Sequence, residues 1–568
     1  MTDAAGELPA NSQSPASLLR LWAEIRSRVF AIAACGLFFF AGLPFVPRLG
    51  IQNDEALFAY GVFPPRSGAY ILHAAHFDLP IMLMSYVGAL KSWIYMPLFG
   101  AFGASVWTTR VPMLAAGAAS IWLFYLFLHG VAGKRAAVAG CLLLAADPIY
   151  LLTTCFDWGP VALQHLLVMG GLVLILRFWR RRLELALAGG FLLLGLMMWD
   201  KALAIWSLAG FALASMLTQG RMIGAAITPR RLAVTLSAFV LGAIPLIAYN
   251  LQMRAATIDQ TVAYDIRHIP QKLRVLESTA DGSGLFGWLN GEDGQARHAA
   301  PSHGVLQRAS AAIASLTGNP RRSWMLYAFC AALLLTPLSR GSERRAIVFA
   351  MLAMAGAWAL MAVTANAGGG LHHTILLWPL PQMVMGVSFA AASRRLGRSG
   401  RPALAAALIL LIGSNLAVLN TYYATTVRNG GAINWTDAIF ALSRSLKTHP
   451  AREFYCVDWG IMGSLHLLNR GRLPLLVGSD ELSRPEWTSE DRDHLAAMVS
   501  RPDHVFLTHS PEFEFFPGLT ARLVKFADTL GYRRETLSIV RDTHDRPTFE
   551  IYHFVSADRP VSGPSMLP

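Results

Sequence analysis

About eleven apolar runs, each near the roughly 20 residues an α-helix needs to cross a hydrocarbon core, fill this chain up to residue 421. They fall near 29–47, 111–129, 136–153, 160–177, 183–199, 202–217, 232–250, 324–338, 346–364, 374–391 and 402–421. Lipid offers no hydrogen-bond partners to the backbone, so runs of this kind must fold as helices. The fifth and sixth are separated only by Trp199-Asp200-Lys201 and read as a tight hairpin. The chain is 54% hydrophobic and 15% charged, against roughly 25% charged in soluble domains. Arg20, Arg26 and Arg28 precede the first run. A secretory signal has the same order, but this run is long for a signal core and no small-residue cleavage site follows. An uncleaved first membrane helix is expected.

Basic residues set the orientation. With a cytoplasmic N-terminus, alternate loops hold Lys134-Arg135, Arg177 with Arg180-Arg181-Arg182, and Arg221 with Arg230-Arg231. Arg340 with Arg344-Arg345 follows, and then Arg394-Arg395 with Arg398 and Arg401. The opposite short loops hold Asp157, Asp200-Lys201 and the stretch 365–373, with little positive charge. Every loop obeys the positive-inside rule in one register, and a single missed span would break the agreement downstream. The expected organisation is a cytoplasmic segment 1–28, a membrane domain 29–422 and an extracytoplasmic domain 423–568, in a plasma (inner) membrane.

Two long outer loops fall within the membrane domain, 48–110 and 251–322. In the first, 79–102 contains Pro80, Pro97 and Lys91 and reads as interfacial helices lying on the membrane. In the second, Asp281 to Gly304 is rich in Gly, His and charge and reads as a mobile loop. Beyond 423, strands at 453–457, 473–477, 505–508 and 548–554 alternate with helices at 461–468 and 520–530. That order suggests a small α/β domain.

The formal charge of +13 lies in short clusters between apolar runs, a topology signal rather than a nucleic-acid-binding stripe. Of five cysteines, Cys35, Cys141 and Cys330 fall in apolar runs. Cys155 and Cys456 both fall on the outer side, where an oxidising compartment allows them to pair. No Cys/His spacing resembles a zinc site. The segments Cys155-Phe156-Asp157-Trp158-Gly159 and Cys456-Val457-Asp458-Trp459-Gly460 echo each other over a length short enough for chance.

Polar residues at the outer face are the candidate site. Asn53-Asp54-Glu55 follows the exit of the first helix, Asp157 lies between the third and fourth, Lys201 sits on the tight hairpin, and His372-His373 opens the tenth. Each has an ordinary reading alone. Asn53, Asp54 and Asp157 are good helix caps, Lys201 can snorkel to headgroups, and a loop histidine pair often has no special role. Together they place acids and bases at one depth, which suits a lipid phosphate needing cations and a partner needing a base.

Several motifs follow in order: Asp54-Glu55 after the first helix, Asp78-Leu79-Pro80 opening the loop stretch, and Arg110-Val111-Pro112 leading into the second helix. Asp157 then precedes the fourth helix, a Gly-rich helix runs from Gly195 to Lys201, and His373 precedes Leu377-Trp378-Pro379-Leu380-Pro381. This series, spread over about 23–400, resembles the bacterial GT-C glycosyltransferases of the protein O-mannosyltransferase and lipid A aminoarabinose transferase group. The resemblance implies a polytopic α-helical GT-C-like membrane domain and inverting transfer from a polyprenyl-phosphate sugar. It implies Asp54 as general base, with Asp157 orienting the sugar or the acceptor. Lys201 is the implied phosphate contact, and Glu55, Asp78, Arg110, His372 and His373 are further substrate-contact candidates. Two positions depart from the family: Leu57 and Leu79 stand where an Arg and a Lys are expected. His73, His76, Lys91 or His373 are the available replacements, with Arg66 as a further cation.

The expected partners are a polyprenyl-phosphate-linked sugar, membrane lipid and a lipid, glycan or protein acceptor, without nucleic acid. No cofactor is expected, and a divalent metal stays open. Three rivals stand beside this reading. A transporter or lipid flippase would show repeated halves and charges at mid-membrane, which are not visible here. A glycan ligase or polymerase would act on diphosphate-linked oligosaccharides and carry more outer-loop arginines. A non-catalytic assembly protein would bind a partner through its C-terminal domain.

Overall fold

The computed structural model describes residues 15–74, 77–261, 263–292 and 304–558. Every expected apolar run contains a helix, and among the described residues eight helices are long and apolar enough to span a bilayer. They are Ser27–Phe45, Val106–Ala132, Val161–Arg181, Ala202–Ala226, Pro229–Gln252, Ser342–Val363, Leu371–Arg395 and Gly397–Asn429. The third expected span is broken into Lys134–Ala145 and Pro148–Cys155, bent by 60°. Pro148 supplies no N–H at the break. Asp147 caps the second piece there, with Oδ1 accepting from the Tyr150 N–H at 3.0 Å. Its Oδ2 accepts from Trp378 Nε1 at 2.8 Å and from Gln382 Nε2 at 3.1 Å. The remaining two runs form helices of about the expected length that are short for a span, Glu184–Asp200 at 17 residues and Met325–Leu338.

Small residues let the helices approach. A Cβ on Gly195 would lie 2.2 Å from the Phe239 carbonyl oxygen, and one on Gly242 would lie 2.4 Å from that of Leu192. The helices Glu184–Asp200 and Pro229–Gln252 therefore touch backbone to backbone, as packing in lipid favours. This contact fixes the end of the first of them, which presents Asp200 and Lys201.

The loop 48–110, expected on the outer side, differs from the expected interfacial helices. Residues 79–102 are strand in their first part. Strands β1 (Tyr70–Ala74), β2 (Phe77–Met84) and β3 (Val87–Gly88) form an antiparallel sheet in that order, and only Leu90–Phe102 is helical. The strand's continuous buried run Pro80-Ile81-Met82-Leu83 places Ile81 and Met82 against Trp199, Leu246 and Tyr249. In the second outer loop, the segment expected to be mobile is packed up to Glu292. Tyr422 OH donates to the Gly282 carbonyl at 2.8 Å and accepts from the Leu285 N–H at 3.0 Å. Its ring stacks on Phe286 at 3.7 Å. The rest of that expected loop, 293–303, lies outside the described residues, as does His76.

The C-terminal domain is built on strands β4 (Glu453–Cys456), β5 (Leu475–Val477), β6 (His504–His509), β7 (Tyr532–Arg541) and β8 (Pro547–Ser556). Their order is β5-β4-β6-β8-β7, parallel through β5-β4-β6 and antiparallel at β6-β8 and β8-β7. Period-two alternation feeds both faces. Phe454, Cys456, Val505 and Leu507 pack with the helices Ala438–Lys447 and Met462–Leu468. Tyr455, Val457 and Phe506 pack with Ser489–Ser500 and Leu519–Thr529. The α/β character matches expectation, and β7 and the helices at 438–447 and 489–500 are additions to it. The domain sits on the first outer loop. Ser464 Oγ donates to the Ile51 carbonyl at 2.7 Å, the Gly50 N–H to that of Trp435 at 2.8 Å, and Tyr60 stacks on His466 at 4.9 Å. All five cysteines are free, so Cys155 and Cys456, both buried, do not form the disulfide that their expected side allowed.

Candidate active site

The loop after the first membrane helix turns into the short helix Asn53–Ala56. Gln52, not Asn53 or Asp54, caps it: its Oε1 accepts from the N–H of Asp54 at 2.6 Å and of Glu55 at 3.2 Å. That frees the Asp54 side chain for the cleft. Asp54 is half-buried, and its Oδ2 accepts a 3.2 Å hydrogen bond from Trp158 Nε1. Burial raises the Asp54 carboxyl above its ordinary value, while the Trp158 N–H and the nearby Lys201 charge oppose that rise.

Trp158 gathers the rest. Its ring lies 4.3 Å from that of His372 and 5.0 Å from that of Trp288, and His372 lies 4.0 Å from His373. Gly159 follows with φ +74°, and a Cβ there would stand 3.0 Å from both His372 and Lys201 Nζ. Lys201 is 2% exposed, and its ammonium donates to the Gly159 carbonyl at 2.9 Å. Burial pushes its pKa down to about 8, opposed by Asp54, Asp200 and Asp157. Two of its N–H groups have no protein acceptor among the described residues, and His372 and His373 each bury an Nδ1 without a partner. Asp54, Lys201 and the pair His372-His373 therefore meet around one Trp-Gly turn, from three separate stretches of chain besides the turn itself.

Asp157 stands beside this group in a different role. Its Oδ1 accepts from the Ala162 N–H at 2.9 Å, and its Oδ2 lies 2.6 Å from Lys91 Nζ, both side chains almost fully enclosed. The cap reading holds for it, and Lys91 occupies its other oxygen. Lys91 also stands 4.5 Å over the Phe58 ring, so it is occupied rather than waiting for a phosphate. Glu55 and Arg110 are engaged with each other. Arg110 Nε and Nη2 donate to the two Glu55 oxygens at 2.6 and 2.8 Å. The remaining Arg110 donors reach the carbonyls of Val46 at 2.6 Å, Leu49 at 3.0 Å and Gly50 at 2.7 Å. Both side chains are sealed from solvent, so neither is placed to contact substrate; they brace the Asn53–Ala56 helix. Asp78 lies on β2, half exposed and paired with His73 at 2.8 Å, and none of its described contacts joins it to Asp54. Asp78 lies in the less buried start of β2, ahead of the buried run Pro80-Ile81-Met82-Leu83.

Trp158 and Asp200 escaped the sequence reading. Asp200 closes the helix Glu184–Asp200, is buried, and accepts from Gln164 Nε2 at 2.8 Å through Oδ2. It lines a cleft with Asp54, Lys91 and Pro160. Its position next to Lys201 was the available signal; for Trp158 there was none beyond adjacency to Asp157. Among the described residues no group of three or more His, Cys, Asp or Glu side chains is arranged to hold a metal ion.

No protein-family model matches this chain, and no curated protein matches it by sequence. Solved structures do. ArnT from Cupriavidus metallidurans bound to undecaprenyl phosphate superposes with a TM-score of 0.57 and 13% identity, over 92% of this chain and 97% of its own. Its apo form gives 0.53 and 13%, over 95% and 98%. The apo oligosaccharyltransferase of Archaeoglobus fulgidus gives 0.47 and 12%, over 89% of this chain and 69% of its own. The ArnT likeness spans nearly the whole of both chains, and it shows the fold: a polytopic helical membrane domain of GT-C type followed by a strand-containing domain.

Proposed function

We propose that this protein is an inverting glycosyltransferase that uses a polyprenyl-phosphate sugar, with Asp54 as general base. One observation carries the reading. Of the four acidic residues expected at the site, Glu55 is paired with Arg110, Asp157 with Lys91 and Asp78 with His73, while Asp54 is half-buried at the cleft and has no ion-pair partner among the described residues. Asp200 in the same cleft also lacks an ion pair but is fully buried and bonded to Gln164, which leaves Asp54 as the accessible carboxylate.

In this reaction the donor phosphate lies against Lys201, whose spare N–H groups and charge stabilise the leaving group as negative charge grows on it. His372 and His373 are the adjacent polar groups for the same phosphate. An acceptor hydroxyl enters from the aqueous side and attacks the anomeric carbon. Its proton passes to Asp54, the sugar–phosphate C–O bond breaks, and polyprenyl phosphate leaves with the electron pair. Trp158 orients the carboxylate through its N–H. A carboxylate is a weak base, so alignment and the cationic character of the reacting sugar supply much of the effect. ArnT is seen with undecaprenyl phosphate bound, which supports a lipid-linked donor here. The proposed orientation keeps the N-terminus cytoplasmic and the C-terminal domain extracytoplasmic, in a plasma (inner) membrane.

The test is Asp54→Asn. The variant should fold and still bind polyprenyl phosphate while transfer falls by about 10²–10⁴, the range for losing a positioned base. Mass analysis of lipid and glycan products from cells with each form reads this out. Undiminished transfer by the variant would sink the assignment.

A further inference from the structure

The segment that carries Asp54 is held from two sides. On one side Arg110 binds Glu55 and the carbonyls of Val46, Leu49 and Gly50. On the other the C-terminal domain meets the stretch from Gly50 to Tyr60 at successive points. The Gly50 N–H donates to the Trp435 carbonyl at 2.8 Å. Ser464 Oγ, fully buried, donates to the Ile51 carbonyl at 2.7 Å. Gly463 lies so close to Asn53 that a Cβ on it would stand 2.5 Å from Asn53 Oδ1. His466 stacks on Tyr60 at 4.9 Å. Gly463, Ser464 and His466 belong to one short helix, Met462–Leu468. Its Leu465 is sealed in the core of the domain with Phe454 and Cys456 of β4, so the helix is anchored to the sheet. Asn53 then links this helix to the base. Burial raises the Asp54 carboxyl, and the Asn53 side chain is among the groups, after Trp158, that lower it again.

We infer that the helix Met462–Leu468 positions the base: Gly463 holds the Asn53 side chain, Ser464 holds the Ile51 carbonyl, and the two together set where the Asp54 carboxylate stands. This inference rests on the assignment of Asp54 as base. The helix Asn53–Ala56 has only four residues, and a helix that short does not hold its own shape or direction. It takes both from its neighbours, and the C-terminal domain supplies one of the two sides. A base must lie within hydrogen-bond reach of the proton it takes, and a displacement of about 1 Å can cost roughly 10²-fold in rate. Lys201 and Tyr86 are the titratable groups coupled to Asp54, with Lys91 and Asp200 lining the same cleft. His466, the titratable residue of the positioning helix, faces Tyr60. The C-terminal domain is thereby part of the transfer machinery rather than a separate binding module.

The experiment uses the full chain in detergent and labels Asp54 with dicyclohexylcarbodiimide, which modifies the protonated carboxyl. Peptide mass spectrometry reads the labelling against pH. Gly463→Ala pushes Asn53 aside, so the labelling midpoint should move to higher pH. Transfer, read in cells by mass analysis of lipid and glycan products, should fall about tenfold with undecaprenyl-phosphate binding unchanged. Ser464→Ala adds no atom and should give a smaller move in the same direction, with transfer down about threefold. Because Gly463 acts through Asn53, Gly463→Ala should add little to Asn53→Ala. Thr520→Val deletes the 2.8 Å hydrogen bond to Thr508 elsewhere in the domain and should change none of these. A midpoint unmoved in both Gly463→Ala and Ser464→Ala overturns the inference. So does a Thr520→Val protein that moves as far, or a Gly463→Ala effect undiminished beside Asn53→Ala. A merely structural role would lower labelling and lipid-phosphate binding in proportion, with the midpoint in place, and would overturn it too. Failure of the base assignment reads differently: transfer survives in Asp54→Asn, whatever the labelling midpoints do.

Discussion

Arg110→Met separates a structural brace from a phosphate ligand. Arg110 is fully buried and makes five N–H hydrogen bonds, two to Glu55 and three to the carbonyls of Val46, Leu49 and Gly50. Methionine matches much of its volume but leaves the Glu55 carboxylate, 1% exposed, with no cation, and leaves those three carbonyls uncapped. Five charge-assisted bonds at about 1.5–3 kcal/mol each would overstate the loss, because the guanidinium's own desolvation offsets most of it. The relevant figure is that for removing one partner of a buried pair, roughly 3–5 kcal/mol. At about 1.4 kcal/mol per decade, this shifts the folding equilibrium by two to three and a half orders of magnitude. The assay is unfolding of the purified chain in mixed micelles by added SDS, followed by tryptophan fluorescence. Polyprenyl-phosphate binding is measured separately on the folded fraction. The Arg110→Met/Glu55→Gln double variant should recover part of the loss, since the orphaned charge is gone. An Arg110→Met protein with the wild-type unfolding midpoint but much weaker lipid-phosphate binding would refute the brace and restore Arg110 as a ligand.

Transfer should follow a bell-shaped pH profile. Its acid limb lies above the ordinary carboxylate range, because Asp54 must be ionised and burial raises it; its alkaline limb lies near 8, where Lys201 loses its charge. A profile flat from pH 4 to 10, measured as kcat/KM, contradicts both roles. Trp158→Phe keeps the aromatic contact but deletes the N–H that lowers the Asp54 pKa, so the acid limb should move to higher pH and kcat should fall several-fold. An unmoved limb means that the hydrogen bond is unimportant in solution. Maleimide labelling of the denatured chain should give the same number of thiols with and without prior reduction, since all five cysteines are free. A gain of two after reduction would reveal a disulfide.

The sequence alone determined the helical membrane architecture. Apolar runs must be helices in lipid, and that signal is local and additive, so each of the expected runs contains a helix. The same bookkeeping put Asp54, Lys201, His372 and His373 at one level, and the structure brings them together at the Trp158-Gly159 turn. Only the tertiary structure decided what each charge does. Glu55 looks as available as Asp54 in one dimension; three-dimensional packing sends one to Arg110 and leaves the other at the cleft. Asp157 and Lys91 lie far apart in the chain, and nothing local marks them as a pair. The strands at 70–88 escaped because an apolar stretch holding prolines has no decisive period, and its packing on Trp199 and Tyr249 decided the matter. The contact of Gly463 with Asn53 is further still from the sequence, since it joins segments far apart in the chain and exists only once the C-terminal domain has docked. Periodicity and charge report where a residue sits relative to the solvent, but a partner is chosen by distance, and distance exists only in the folded chain.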